Sequence, residues 1–439
     1  MNMLVVMRHG KAMPSEEGQQ DADRSLTKAG ARALEARLPH MLRLLDTQGA
    51  AVQIWTSPAK RARQTAKLLE RALRDAHVPL EKRIEAHSCL WEQDIDEFLA
   101  DVHASGDGCV FAVGHIPFAE DLVEELTGSS LSFSPGALAC LDVRFADMGA
   151  WDGASTRDHA RLLWFAQGPV SAHWDTLVQL QHALTTTAEA IEDRRQAFFA
   201  DPKDIETIHR FRTNTRTLRS LVAFIKPWQN AEQNAKTQAT LKEIVGYTSR
   251  LRELDVFERQ ANSNPDSSPE LLEFCRKQSA AERAKVLKAL SSKRVTKAFE
   301  TAMADAKDVL WKKRYLRYGL PASAVRERFD AMVESVGSDL AVVRLSDSEQ
   351  THDVRKRAKR ARYVAEFNAG ILGDDAIDVA RNMTAHQDDL GDVCDARANI
   401  RLIGEFLQRD LPEPLVWELT LMRAQNETFL YGLLKAKEA

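Results

Sequence analysis

Several features typical of membrane, secreted or zinc-binding proteins are missing from this 439-residue chain. No apolar run reaches the roughly 18 residues that a membrane-spanning helix needs. The five cysteines lie far apart and form no CxxC pair, which disfavours a disulfide framework and a structural zinc site. Residues 1–10 carry neither a basic leader nor a small-residue cleavage site, so we expect a first strand there rather than a signal peptide. Together these features predict a cytoplasmic protein with reduced thiols.

A strong overall charge is also absent, because the formal net charge is only −4. Residues 1–170 carry 18 basic and 24 acidic side chains, and the remainder carries 42 and 40. Neither part is globally basic. Any anion-binding function therefore has to depend on local clusters of basic residues.

Up to residue 170, short apolar runs alternate with segments of helical apolar spacing. The expected strands are Leu4–Met7, Val52–Trp55, Cys109–Val113, Ala139–Phe145 and Ala160–Ala166, and the expected helices are Thr27–Leu45 and Lys60–Ala76. This alternation predicts an α/β domain with a largely parallel sheet and flanking helices. Gly168-Pro169 breaks the pattern, so we place the end of this domain at residue 170.

Residues 175–439 have few glycines and long charged segments with helical apolar spacing. The expected helices are Gln179–Phe199, Asp204–Ile225, Thr237–Glu258, Pro269–Leu290, Ser323–Leu345 and Glu349–Gly370. Asn262–Pro269 (NSNPDSSP) has the composition of a flexible connection. The pattern predicts an all-α second domain.

Phosphate-suited side chains follow three of the expected strands. Arg8-His9-Gly10 follows the first strand, Arg61 opens the helix after the second, and His115 follows the third. Since ligands bind at the carboxyl edge of open α/β sheets, we expect these side chains to lie together. A neutral imidazole can attack phosphorus, and arginine offers a planar set of donors to phosphoryl oxygens. The arrangement predicts a phosphate pocket with His9 at its centre.

The segments MRHGKA, SPAKRARQTA and VGHIPF resemble the histidine phosphatase superfamily, and in particular its short SixA-type phosphohistidine phosphatases. The resemblance covers about 165 residues. It implies a hydrolase in which His9 is the nucleophile and Arg8, Arg61 and His115 bind the phosphoryl group. It also implies no metal or other cofactor, since two arginines and a charged histidine would stabilise the transferring group.

The general acid has two interpretations. Leu90-Trp91-Glu92 is similar to the segment in which many family members carry a catalytic glutamate. SixA-like members often lack that glutamate, and a phosphohistidine leaving group asks little of an acid. Glu92 is therefore either the acid or a surface residue that precedes the helix around Ile95–Val102.

One basic signature occurs twice in the helical part, 143 residues apart. Its spacing is H-x2-R-x3-R-x2-R in the first copy and has lysine at the third position in the second. The copies are His209, Arg212, Arg216 and Arg219, and His352, Arg355, Lys359 and Arg362, with Lys356 as an additional cation in the second. On a helix, these offsets fall within about 80° of arc. The repeat predicts a duplicated helical unit with two basic stripes at a shared site.

The same segments resemble the two halves of a CHAD domain, the conserved histidine α-helical domain. Further matches are RELDV, beginning at Arg252, and QDDLG, with Asp395 following. The resemblance implies two related helical bundles whose basic faces bind inorganic polyphosphate, and it assigns both copies of the signature, including Lys356, to that ligand. Arg252 and Asp255 are expected to form a structural ion pair instead.

The leading hypothesis is a SixA-like phosphatase domain (1–170) fused to a polyphosphate-binding CHAD domain (175–439). Expected partners are inorganic polyphosphate and a phosphorylated protein or small phosphoester, with neither membrane nor nucleic acid. The expected location is the cytoplasm, including polyphosphate granules. One alternative is a catalytically silent polyphosphate scaffold. A nucleic-acid-binding protein is another, although the acidic first domain and the lack of aromatics between the basic positions count against it.

Overall fold

A computed structural model describes residues 2–47, 49–81, 83–106, 108–144, 160–169 and 172–438. The chain forms two compact units. The first contains Met1–Leu177 and Lys312–Pro321, and the second contains Val178–Trp311 and Ala322–Ala439. None of the described helices combines the length and the apolar composition that crossing a bilayer requires.

The first unit is built on a six-stranded sheet of order β3-β2-β4-β1-β5-β6. The strands are β1 (Asn2–Arg8), β2 (Val52–Thr56), β3 (Glu85–Ala86), β4 (Cys109–Gly114), β5 (Leu138–Val143) and β6 (Ala160–Ala166). The first four strands in this list pair in parallel, and β5 and β6 pair antiparallel. This arrangement confirms the predicted α/β fold. Phe145, at the end of one predicted strand, lies outside the described residues.

Every residue of the central strands β2 and β4 is buried, because helices cover the sheet. The helices before residue 130 are α1 (Lys28–Leu42), α2 (Lys60–Asp75), α3 (Cys89–Glu92), α4 (Ile95–Ala104) and α5 (Phe118–Thr127). Thr27 caps α1 by accepting a hydrogen bond from the Gly30 amide at 2.9 Å. Gly168 remains packed in this unit, where its amide donates to Ser134 Oγ at 2.9 Å.

All the described helices of the remaining chain are long except two. They are α6 (Ala172–Ala200), α7 (Ile205–Ile225), α8 (Ala231–Tyr247), α9 (Ser249–Ser263), α10 (Pro269–Leu290), α11 (Lys293–Lys307), α12 (Lys313–Tyr318), α13 (Ala322–Val342), α14 (Ser348–Phe367), α15 (Ala369–Leu372), α16 (Asp375–Leu407) and α17 (Glu413–Glu438). The helix α12 belongs to the first unit, and α6 begins in the first and continues in the second. The helical character of the second part is therefore confirmed. A connection outside the helices occupies only 264–268 of the predicted Asn262–Pro269 segment, because α9 extends to Ser263 and α10 begins at Pro269.

The single helix predicted over Thr237–Glu258 is wrong, because the structure divides it at Thr248. Thr248 Oγ1 donates to the Val245 carbonyl at 3.0 Å, and Arg212 Nη1 donates to the same carbonyl at 2.7 Å. These donors satisfy a carbonyl at the end of α8, so the chain can start a new helix at Ser249.

The predicted ion pair between Arg252 and Asp255 is also wrong. Asp255 Oδ1 pairs with Arg283 Nη2 at 2.7 Å, in a buried position between α9 and α10. Arg252 Nη1 is buried and finds no hydrogen-bond partner among the described residues. Arg283 was missed because it lies on a different helix from the RELDV segment.

Candidate active site and basic helical surface

Strand ends bring the four predicted pocket residues of the first unit together. Arg8 is the last residue of β1, and the His9 amide donates to the Gly114 carbonyl at the end of β4 at 3.0 Å. His115 follows directly, while Arg61 lies in the first turn of α2, after β2. The rings of His9 and His115 are 5.0 Å apart. The three strand ends therefore meet at one edge of the sheet.

His9 is held in the form that a nucleophile requires. Its Nδ1 lies 2.7 Å from the Gly10 carbonyl, so this nitrogen carries the proton and donates it. The other nitrogen, Nε2, accepts a hydrogen bond from Arg61 Nε at 3.0 Å. Burial lowers the pKa of His9 to about 4, the Gly10 carbonyl opposes this shift, and nearby Arg61 adds to it. The imidazole is therefore neutral near pH 7, with its Nε2 lone pair facing Arg61.

His115 is neutral as well, and the charged histidine that the resemblance implies remains a prediction for the complex with a phosphoryl group. Its Nδ1 lies 3.3 Å from Arg61 Nη2, and its Nε2 lies 2.8 Å from Ser57 Oγ. Burial lowers the pKa of His115 to about 3, with further contributions from His9 and Arg61. The positive charge of the pocket therefore comes from the arginines.

Arg8 presents an unused donor. Its Nη1 donates to the Phe133 carbonyl at 2.5 Å, which anchors the guanidinium. Its Nε is buried and has no hydrogen-bond partner within the described part of the chain. A buried donor without a partner is costly unless a ligand satisfies it, so Arg8 Nε marks a place for an acceptor such as a phosphoryl oxygen.

Two further residues of the pocket, Thr65 and Trp91, were not predicted from the sequence motifs. Thr65 Oγ1 accepts from the Gly10 amide at 3.1 Å and thereby joins α2 to the loop after β1. The ring of Trp91 lies 5.2 Å from that of His115 and 5.7 Å from the Arg61 guanidinium carbon. The available signal was positional, since Thr65 lies one helical turn after Arg61 and Trp91 lies beside Glu92.

Both copies of the basic signature lie on helices that pack against each other in the second unit, α7 and α14. The first copy (His209, Arg212, Arg216, Arg219) is on α7, and the second (His352, Arg355, Lys359, Arg362), with Lys356, is on α14. We call these nine residues the basic helical surface. The predicted shared site is consistent with this placement.

Some members of the basic helical surface already have protein partners. Arg212 donates to the end of α8 at Val245, as described above. Arg355 Nη1 lies 3.6 Å from Asp395 on α16, and a Cβ at Gly391 would lie 3.0 Å from Arg355 Nη2. Glycine in the QDDLG segment therefore makes room for the arginine.

Arg216 and Lys359 form no ion pair with a carboxylate among the described residues, although Asp395 is close enough to affect the pKa of Lys359. Burial lowers the pKa of Lys359 to about 7, and Arg355 and Arg216 add to the shift. The pKa of Arg216 is lowered by burial too. The pKa values of His209 and His352 fall below the usual value, mainly through burial and secondarily through Arg252 and Lys356 respectively. Lys356 and Arg362 have carboxylate partners, Asp353 at 3.0 Å and Glu366 at 3.5 Å, so the crowding is strongest around Arg216 and Lys359.

Comparison with protein families assigns both halves of the chain. The CHAD domain profile matches residues 182–404, which is half of the sequence. The chain belongs to the CHAD domain family. The profile of the histidine phosphatase superfamily (branch 1) matches residues 4–105, so a histidine phosphatase domain precedes the CHAD domain. No curated protein matches the chain in sequence.

Solved structures similar to each half are known. The protein histidine phosphatase SixA complexed with tungstate is 20% identical, with 38% of this chain and 97% of that chain covered and a TM-score of 0.29. The CHAD domain from the plant Ricinus communis is 22% identical over 59% of this chain and 91% of that chain, with a TM-score of 0.49. PptA from Streptomyces chartreusis is 14% identical over 58% and 95%, with a TM-score of 0.44.

Glu92 lies at the end of α3 in the histidine phosphatase domain and is exposed. None of the described hydrogen bonds joins its side chain to His9, Arg61 or His115. Its neighbour Trp91 makes the contacts with the pocket instead. The structure thus leaves both interpretations of Glu92 open to experiment.

Outside the pocket, one group of described residues has the composition of a metal site. His87, Cys89 and Asp101 each offer a ligand-type atom, and these atoms lie within 4.8 Å of one another. His87 stacks on Trp55 at 4.1 Å, and its Nδ1 lies 3.0 Å from Asp101 Oδ2. A hydrogen bond between His87 and Asp101 accounts for the proximity of these two side chains.

Proposed function

We propose that the histidine phosphatase domain hydrolyses phosphohistidine or phosphomonoesters through a phosphohistidine intermediate on His9. The carrying observation is the tautomer of His9, whose Nδ1 proton is held by the Gly10 carbonyl while Nε2 keeps a lone pair. A pKa of about 4 keeps this nitrogen unprotonated at neutral pH. Nucleophilic catalysis by histidine requires this state.

The proposed reaction has two displacements at phosphorus. In the first, His9 Nε2 forms a bond to phosphorus while the bond to the leaving nitrogen or oxygen breaks, and the leaving group takes up a proton from solvent, or from Glu92 if that residue is the general acid. The hydrogen bond from Nδ1 to Gly10 stabilises the positive charge that develops on the ring. In the second, water attacks phosphorus, the N–P bond breaks and orthophosphate leaves. Arg8 and Arg61 bind the equatorial oxygens throughout.

Trapping the intermediate tests the proposal. Incubation with a phosphoramidate and rapid denaturation should leave acid-labile phosphate on the wild type and none on His9→Ala. His103→Ala, an exposed histidine on α4, serves as the matched control and should still be labelled. If a panel of phosphohistidine peptides, phosphoramidates and phosphoesters gives neither label nor turnover, the catalytically silent scaffold is the correct function.

For the CHAD domain, we propose that the basic helical surface binds inorganic polyphosphate. The supporting observation is the crowding of Arg216, Lys359 and Arg355, which have one nearby carboxylate, Asp395, acting on Arg355 and Lys359 among the described residues. Close cations repel unless an anion neutralises them. A linear polyanion meets this requirement, because rows of cations bind it without reading a sequence.

Two substitutions on α7 test whether polyphosphate binds to the basic helical surface or to any cation of the helix. Arg216→Gln should weaken the binding of long-chain polyphosphate by about tenfold, as expected for the loss of a charge-assisted contact. Arg210→Gln is the matched control, since Arg210 is exposed on the same helix and pairs with Glu206 at 2.8 Å. Equal losses in both variants would show nonspecific attraction. Displacement of polyphosphate by RNA at equal phosphate concentration would favour a nucleic-acid ligand.

A further inference from the structure

A carboxylate lies at the anion-binding pocket of the histidine phosphatase domain. Asp21, in a short 3-10 turn between β1 and α1, accepts a hydrogen bond from Arg61 Nη2 on Oδ2 at 2.6 Å. Its backbone carbonyl accepts another from Arg61 Nη1. The same guanidinium donates to His9 at 3.0 Å and lies 3.3 Å from His115. Asp21 therefore uses donors of the arginine that is expected to hold phosphate.

The other oxygen of this carboxylate has a separate anchor. Asp21 Oδ1 accepts from Arg24 Nη1 at 2.6 Å, and Arg24 is itself fixed by two bonds to the Met13 carbonyl. Asp21 can thus release Arg61 and still remain paired with Arg24. Its side chain is 50% exposed, so this small movement does not disturb a packed core.

The geometry points to Asp21 as an internal competitor of phosphate for Arg61. In this proposal, which rests on the proposed phosphatase function, a phosphoryl group displaces the carboxylate from the guanidinium. After orthophosphate has formed, the Asp21 carboxylate returns to Arg61 and hastens the release of orthophosphate. Asp21 thereby weakens product inhibition without contacting the reacting atoms.

The negative charge of Asp21 favours its role as a competitor of phosphate over an alternative role as a proton donor. Hydrogen bonds from Arg24 and Arg61 hold the pKa of Asp21 below its usual value, so the group remains an anion over the physiological range. A permanent anion repels phosphate and competes for the same donors. It is poorly suited to give up a proton.

A second alternative is that Asp21 simply positions Arg61, and substitution separates the two roles. Asp21→Asn removes the charge and retains the shape. Competition predicts that the variant binds orthophosphate about tenfold more tightly in a calorimetric titration, with a matching fall in the product-inhibition constant. Positioning predicts weaker binding. Asp23→Asn is the control, because Asp23 is an exposed residue in the same turn.

Tightening by about fivefold or more in Asp21→Asn, with Asp23→Asn unchanged, supports the proposal. A smaller change, weaker binding, or equal tightening in both variants overturns it. Asp21→Ser provides a second variant, and thermal unfolding verifies that each protein is folded. Orthophosphate binding requires no turnover. Failure to label His9 would therefore refute the proposed function while leaving this measurement interpretable.

Discussion

Arg61 Nε donates a hydrogen bond to His9 Nε2 over 3.0 Å, so the guanidinium contacts the lone pair of the proposed nucleophile. This contact has two consequences. A cation beside an imidazole disfavours its protonation, which adds to the effect of burial on the pKa of His9. The approach of phosphorus to Nε2 also requires Arg61 to move its donor from the ring to the phosphoryl oxygens. In the proposed mechanism, substrate binding therefore frees His9 Nε2 and engages Arg61 in the same step.

Removal of Arg61 should affect catalysis more than folding. We expect Arg61→Ala to lower kcat/KM for a phosphoramidate by about 100- to 1000-fold, the range found for loss of one preorganised donor to a developing anion. Arg63→Ala, an exposed arginine on the same helix, should change kcat/KM by less than about twofold. Steady-state kinetics on the two variants provides the measurement. Similar losses in both would mean that Arg61 has no special role.

The two pocket histidines should titrate far below the usual range. With pKa values of about 4 for His9 and about 3 for His115, both remain neutral as the pH falls to about 5. Their imidazole C–H signals in NMR should therefore shift little between pH 8 and 5, a range that extends below the pH at which an unperturbed histidine titrates. Since unfolded chains protonate these histidines near pH 6.5, their contribution to stability is present above that pH and decreases as the pH falls toward about 4.

Bound orthophosphate should raise the lowered pKa of His115. A bound anion stabilises a protonated imidazole, so saturation with phosphate should move the titration of His115 upward. His115→Ala and His9→Ala identify the two signals. A titration that remains near pH 3 with phosphate bound would contradict a role for His115 in charge stabilisation.

If Glu92 is the general acid, its substitution should lower turnover most for substrates with poor leaving groups. Glu92→Gln would then lower turnover of an alkyl phosphate by about 100-fold or more, while turnover of a phosphoramidate would change little. Asp94→Asn offers a nearby control on an exposed residue that caps α4. If Glu92→Gln leaves the turnover of the alkyl phosphate unchanged, Glu92 is the surface residue of the second interpretation.

The pocket could be predicted from the sequence because strand ends place residues without help from distant packing. Arg8 ends a strand, His9 and His115 follow strands and Arg61 opens a helix, and parallel strands bring such positions to one edge. Asp21 escaped prediction because it lies in a loop, whose path depends on tertiary contacts. The bond from Arg24 to Met13 illustrates such a contact.

The ion pairs between side chains on different helices could not be predicted from the sequence either. The spacing of the two basic signatures predicted their faces, but no periodicity indicates that Arg283 rather than Arg252 pairs with Asp255. Charge states were hidden for the same reason. The neutral state of His115 follows from burial and from neighbours on other elements, and neither can be read from a local sequence pattern.

Lys359 should make polyphosphate binding depend on pH. Its pKa of about 7 follows from burial and from Arg355 and Arg216, with Arg362 adding to the shift and Asp395 opposing it. Binding of a polyanion favours the protonated form, so affinity should be highest below pH 7 and fall as the pH rises through it. A single linked proton gives a loss of about tenfold between pH 6 and 8.

The variant Lys359→Arg is the control and should show a much flatter profile, because a guanidinium remains charged across this range. The interior phosphates of long-chain polyphosphate stay singly charged, and His209 and His352, with pKa values below 6.5, are already neutral in the upper part of the range. The slope above pH 6.5 therefore reports on Lys359. Parallel profiles for wild type and variant would show that Lys359 does not touch the polyanion, and would move the proposed contact elsewhere on the basic helical surface.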